Sequence, residues 1–115
     1  MIDFACKKFF IDDVIKCSFG LTKSDLKIFH FLMNEPEEYF MTSDISDKLK
    51  FDLSTVQRSL KKVFEKEILN RRQNNLDTGG YVFRYKIKDK KKISEMILTM
   101  IDSWKGRVES ELSKL

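Results

Sequence analysis

The sequence has 115 residues, 42% hydrophobic and 35% charged, with one Pro and four Gly, the composition of one ordered, helix-rich domain. No apolar run approaches the roughly 20 residues that cross a bilayer, and Asp3, Lys7, Lys8, Asp12 and Asp13 interrupt every apolar stretch near the start, which excludes a secretory signal and makes the cytoplasm the expected location. The formal net charge is only +4, yet residues 53–92 carry 12 Lys/Arg against 4 Asp/Glu while residues 1–52 carry 7 against 10, a concentration that points to a polyanion partner.

In chain order, Asp3 to Cys17 places Phe4, Phe9 or Phe10, Val14 and Cys17 at helical spacing. This first helix has more apolar residues than one core-facing stripe needs, so part of it is expected to meet a second subunit. Cys6 and Cys17 on such a helix would be about 16 Å apart, too far for a disulfide, and read as packing residues. Gly20-Leu21 breaks the pattern, and Thr22-Lys23-Ser24-Asp25 opens a second helix as a capping box with Asp in the usual Glu position. Leu26, Phe29, His30 and Met33 follow on its inner stripe, with His30 read as a packed histidine. Glu35-Pro36 ends it, because the residue before Pro avoids the α region.

Tyr39-Phe40-Met41 reads as a short extended piece. Thr42 is the expected cap of a third helix with Ile45 and Leu49 facing inward, and Ser54 the expected cap of a fourth running to about Glu67. The fourth helix turns Val56, Leu60, Val63 and Phe64 inward and Thr55, Gln57, Arg58, Lys61 and Lys62 outward. Residues 68–76 and 81–87 flank Asp77-Thr78-Gly79-Gly80 as a β-hairpin in which Asn74 and Asn75 are turn formers. Lys90 to Leu115 forms a last helix with Ile93, Met96, Ile97, Met100, Ile101, Trp104, Val108 and Leu112 on one stripe. At about 39 Å it is longer than one small core can cover.

The fold class is therefore mostly α with a small β element. Residues 1–19 are expected as an N-terminal dimerisation helix, 20–89 as the core and 90–115 as a C-terminal dimerisation helix. Phe4, Phe9, Ile97, Met100, Ile101, Trp104, Val108 and Leu112 are the candidate dimer residues. With one His and two Cys no metal-ligand spacing is available, and no nucleophile–base set or carboxylate pair suggests catalysis. No cofactor and no metal are expected.

Leu21-Thr22-Lys23-Ser24-Asp25, the Thr42 to Leu49 segment and the Leu53 to Val63 segment, in that order and spacing, resemble the winged helix-turn-helix regulators of the MarR and TrmB-like group. The likeness covers about residues 20–90. It implies a positioning helix at 42–49, a recognition helix at about 54–67, a wing at 69–88 and a homodimer that regulates transcription. Glu67 stands where that group commonly has a helix-ending Gly.

The residues support the same reading without the family. Thr55, Gln57 and Arg58 can reach base edges in a major groove, Arg58 toward guanine and Gln57 toward adenine. Ser54, Lys61 and Lys62 are better placed for phosphates, which position a protein without reading sequence. Arg71, Arg72, Arg84, Lys86 and Lys88 add a basic hairpin suited to the backbone or to a narrow minor groove. Double-stranded DNA is the expected partner. A winged-helix module that binds protein, and a non-specific DNA coater, are the alternatives.

Overall fold

The computed structural model describes residues 1–115. It contains five helices and two small antiparallel sheets: β1 (Ile2–Phe4), β2 (Lys7–Phe9), α1 (Ile11–Phe19), α2 (Lys23–Asn34), α3 (Thr42–Leu49), α4 (Leu53–Glu65), β3 (Leu69–Asn75), β4 (Tyr81–Ile87) and α5 (Lys90–Leu112). This α+β arrangement is compatible with a winged helix.

Three of the helices start in the same way. An Asp carboxylate three residues into the helix accepts a hydrogen bond from the backbone N–H at the cap: Asp13 from Phe10, Asp25 from Thr22, and Asp44 from Met41, at 2.9–3.0 Å. Each Asp also lies in the first turn, where the helix dipole favours negative charge. At α2 the box is complete, because Thr22 Oγ1 accepts in return from the Asp25 N–H at 3.1 Å. Thr42 and Ser54 are not caps. Met41 and Asp52 hold those positions, and Thr42 and Ser54 are the first and second residues of their helices.

The N-terminal expectation needs correction. Residues 1–10 do not continue a helix; β1 and β2 pair as a hairpin, with Ile2 opposite Phe9 and Phe4 opposite Lys7, and the helix begins only at Ile11. Cys6 lies in the hairpin turn and Cys17 on the outer side of α1, and both are exposed rather than packed. On α2 the apolar stripe is rotated from the expected one: Ile28, Phe29 and Leu32 are buried, Leu26 and Met33 partly so. His30 is exposed and lies 2.8 Å from Asp12 of α1.

The core is one cluster. Ile15, Phe19 and Leu21 meet Ile28, Phe29 and Leu32 of α2, Ile45 of α3, Val56, Leu60 and Val63 of α4, the hairpin base at Ile68, Leu69, Tyr85 and Ile87, and Ile93 of α5. Burying each such side chain stabilises the fold by about 1.5–3 kcal/mol. Phe40 joins β4 through paired backbone hydrogen bonds with Tyr85, both 2.8 Å, and packs on Phe31 with ring centroids 5.0 Å apart.

Two segments lie outside this core. In β1–β2 the side chains of Ile2 and Phe4 are exposed, as are Phe10 and Ile11 beyond it. In α5 only Ile93 is buried, with Met96 and Ile97 packed partly against the core, while Leu98 and Trp104 are 60% and 57% exposed. The chain is accordingly elongated, 64 × 24 × 23 Å with a radius of gyration of 17.2 Å, where a compact chain of this length would have about 13 Å.

Candidate nucleic-acid interface

Helix α4 offers the first surface. With 3.6 residues per turn, burial of Val56, Ser59, Leu60 and Val63 turns Ser54, Gln57, Arg58 and Lys61 outward. All four are exposed, and Arg58 and Lys61 make no ion pair. Thr55 is half-buried at the edge of this face. Glu65 puts a carboxylate at its C-terminal end, so the cationic surface belongs to the N-terminal three turns.

Lys62 has a different environment. Its ammonium donates to the Asp25 carboxylate at 2.9 Å, while the Ser59 hydroxyl donates to the other carboxylate oxygen at 2.5 Å. Asp25 is 3% exposed. Burial alone would raise its pKa; the Ser59 hydroxyl, the Thr22 N–H and the Lys62 ammonium outweigh that and hold the carboxyl below its ordinary value of 3.8. The capping box of α2 is thus also an anchor for α4, fixing which of its faces is outward. The sequence shows the cap, but nothing in it signals the tie to residues 34 and 37 positions later.

The β3–β4 hairpin presents two faces of different character. Its register pairs Leu69 with Ile87, Arg71 with Tyr85, Arg72 with Arg84 and Gln73 with Phe83. Because strand side chains alternate, Arg71 shares a face with Phe83, Tyr85 and Ile87, and Asn70, Arg72, Arg84 and Lys86 share the other. On the inner face the Arg71 guanidinium carbon lies 4.2 Å from the Phe64 ring centroid and 4.1 Å from that of Phe83. Arg71 therefore clamps the end of α4 to β4. The clamp lies beside Glu67, which takes the left-handed conformation (φ 66) between helix and hairpin. The missing Gly is accommodated as backbone strain, and the helix still ends there.

On the outer face the Arg72 guanidinium carbon lies 4.2 Å from the Tyr39 centroid, and Lys86 Nζ is 5.6 Å from the same ring. Lys86 also reaches Glu37 at 3.5 Å. Arg84 and Lys88 are half-buried. Lys86, Lys88 and Lys92 line a polar cleft with Asn70 at the start of α5, so the basic surface extends past the hairpin to Lys92. Sequence reasoning assigned neither Tyr39 nor Lys92 to this surface: Tyr39 meets Arg72 and Lys86 from distant chain segments and has no local signature, whereas Lys92 closes the basic run at residues 88–92 that the sequence displays.

The dimer candidates fall into two groups. Ile97 and Val108 are half-buried, and Ile97 already leans on the protein's own core, whereas Phe4, Met100, Ile101, Trp104 and Leu112 are exposed; Phe9 is half-buried on β2. No helix is long and apolar enough to cross a membrane, and no group of three His, Cys, Asp or Glu side chains converges.

The family model for the DnaD N-terminal domain matches residues 9–108. The chain belongs to the DnaD N-terminal domain family. The matched span leaves out most of the β1–β2 hairpin and takes in α1 to α4 and all but the last turn of α5, so the basic surface lies entirely within the domain. Among solved structures, a possible transcriptional regulator from Methanosarcina mazei Go1 is 52% identical and superimposes with a TM-score of 0.93 over 99% of this chain and 95% of that one. A protein of the thermoacidophilic archaeon Sulfolobus tokodaii, 20% identical with a TM-score of 0.68 over 84% of this chain and 92% of its own, shares the fold. Two uncharacterized proteins of Methanocaldococcus jannaschii, MJ1503 and MJ1082, are 27% and 26% identical over 96% and 93% of this chain and 82% and 87% of theirs.

Proposed function

We propose that the protein binds double-stranded DNA sequence-specifically as a homodimeric transcriptional regulator, in the manner of the MarR and TrmB-like winged helix-turn-helix group. The observation that carries this reading is the outward face of α4. Arg58 and Lys61 stand exposed without an acidic partner beside Gln57 and Ser54, while Lys62, the α4 lysine that is paired with a carboxylate, is bound within the fold. A helix with small polar and cationic groups on its free face fits a B-DNA major groove, N-terminal half first. Gln57 and Arg58 read bases. Ser54, at the helix N-terminus, and Lys61 meet phosphates, and Lys62 orients the helix through Asp25.

The β3–β4 hairpin acts as the wing, with Arg72, Arg84, Lys86 and Lys88 against the DNA backbone and Arg71 holding the wing to the recognition helix. The exposed apolar stripe of α5, together with Phe4 of the N-terminal hairpin, joins two copies. Their recognition helices then meet successive major grooves about 34 Å apart. The reading involves no catalytic step, cofactor or metal, and it places the protein in the cytoplasm with its DNA.

Selection of binding sites from randomised duplex DNA at about 150 mM salt tests it, since phosphate-only binding is suppressed there. An inverted repeat with half-sites about one helical turn apart is expected. Binding without a motif would replace a specific regulator with a non-specific coater, and no binding at all would favour a protein-interaction module.

A further inference from the structure

We propose that Tyr39 is a positioning residue for DNA: its ring is the platform that holds Arg72 and Lys86 outward, beside Arg84, for contact with backbone phosphates. The inference rests on the DNA-binding reading above and adds a residue that belongs to neither α4 nor the hairpin.

The platform is set independently of the cations it carries. Phe40, the next residue, is fixed by both of its backbone hydrogen bonds to Tyr85 and by packing on Phe31, which places Tyr39 beside the outer face of β3–β4. Arg72 and Lys86 then lie over its ring at 4.2 and 5.6 Å. A stacked guanidinium keeps the N–H groups along its edge free, and these match a phosphate bidentately. Its rotamer freedom is already restricted, so less is lost when the phosphate arrives.

The charges on this face lack internal neutralisation. Arg72 lies directly opposite Arg84 in the register, a like-charge pairing that destabilises a hairpin, and neither arginine has a carboxylate within ion-pair distance. Lys86 has only Glu37, at 3.5 Å, whose side chain is 85% exposed. Such a solvated pair holds weakly, and a DNA phosphate competes with that carboxylate for the same ammonium. Tyr39 and Glu37 thus act in opposite directions on one surface.

The test measures affinity of the full chain for one labelled duplex of about two helical turns across a salt series. Tyr39→Leu is expected to weaken binding roughly 3- to 10-fold and to flatten the plot of log affinity against log salt by about 0.9 for each phosphate that is no longer neutralised. Tyr39→Phe keeps the ring face and should stay within about twofold of wild type. Glu37→Gln, on an exposed side chain with little bearing on folding, should tighten binding about twofold by freeing Lys86. Wild-type affinity and slope in Tyr39→Leu, a Tyr39→Phe variant as weak as Tyr39→Leu, or no gain from Glu37→Gln would each overturn the role assigned here while leaving DNA binding intact. A wild-type protein that binds no duplex overturns the DNA-binding reading itself.

Discussion

The Lys62 ammonium and the Asp25 carboxylate, 37 residues apart in sequence, meet at 2.9 Å and tie the start of α2 to the last turn of α4. Asp25 is buried and also accepts from Ser59 and Thr22, so removing it strands two donors and a lysine. Asp25→Ala is expected to cost about 2–4 kcal/mol, read as a lower urea midpoint.

The same carboxylate makes stability acid-sensitive. Its folded pKa lies below the ordinary 3.8, so the folded state favours the ionised form. That contribution is fully present above the unfolded value and is lost as pH falls through the folded one. Asp25→Asn should flatten the stability profile below about pH 4. A variant profile parallel to wild type in that range would assign the acid response to other carboxylates.

Neighbouring lysines on α4 should behave differently. Lys61→Ala is expected to reduce the salt slope of DNA binding by about 0.9 with little change in melting temperature. Lys62→Ala should instead lower the melting temperature and leave the slope near wild type, because its charge is used within the fold. Equal slope changes in both would show that Lys62 leaves Asp25 for a phosphate.

Glu67 holds a left-handed conformation at φ 66, which disfavours a residue with Cβ by about 1–2 kcal/mol. Glu67→Gly relieves that strain and adds unfolded-chain entropy, for a net gain of about 0.5–1 kcal/mol. A higher melting temperature with unchanged DNA affinity is expected. Loss of affinity would mean that Glu67 holds the hairpin at its working angle.

Apolar side chains on the far half of α5 should control assembly. Trp104→Glu buries a charge in any interface built there and should convert a dimer to a monomer in analytical ultracentrifugation. A stable dimer in that variant would move the interface to the N-terminal hairpin around Phe4.

The sequence was most legible where local chemistry decides the structure. The Thr22 capping box, the break at Gly20, the Gly79-Gly80 turn and the extent of the last helix each depend on neighbours a few residues away, and each was found at or close to its expected place. The N-terminal hairpin was not legible. Its turn at Ala5-Cys6 has no residue at positive φ, so no Gly, Asn or Asp announces it, and the spacing of Phe4, Phe9 and Val14 suits a helix equally well. The run Ile28 to Met33 is almost wholly apolar, which leaves the phase of α2 undetermined until it packs. The candidate interface was half legible: basic residues could be counted, but whether Arg71 lies against Phe64 or Lys62 against Asp25 depends on tertiary proximity alone.

Helix α5 is separated from β4 by only two residues, is anchored near its start at Ile93 and then leaves the core. In the proposed dimer, joined along this free half, the helix would act as a ruler geared to the double helix. Each residue inserted between Ile97 and Trp104 lengthens it by about 1.5 Å and turns the DNA-binding part of each copy by about 100° about its own helix, relative to the shared interface. A single-residue deletion there would leave both DNA-binding surfaces intact yet set them out of phase, turning one cooperative engagement of two half-sites into two independent weak ones.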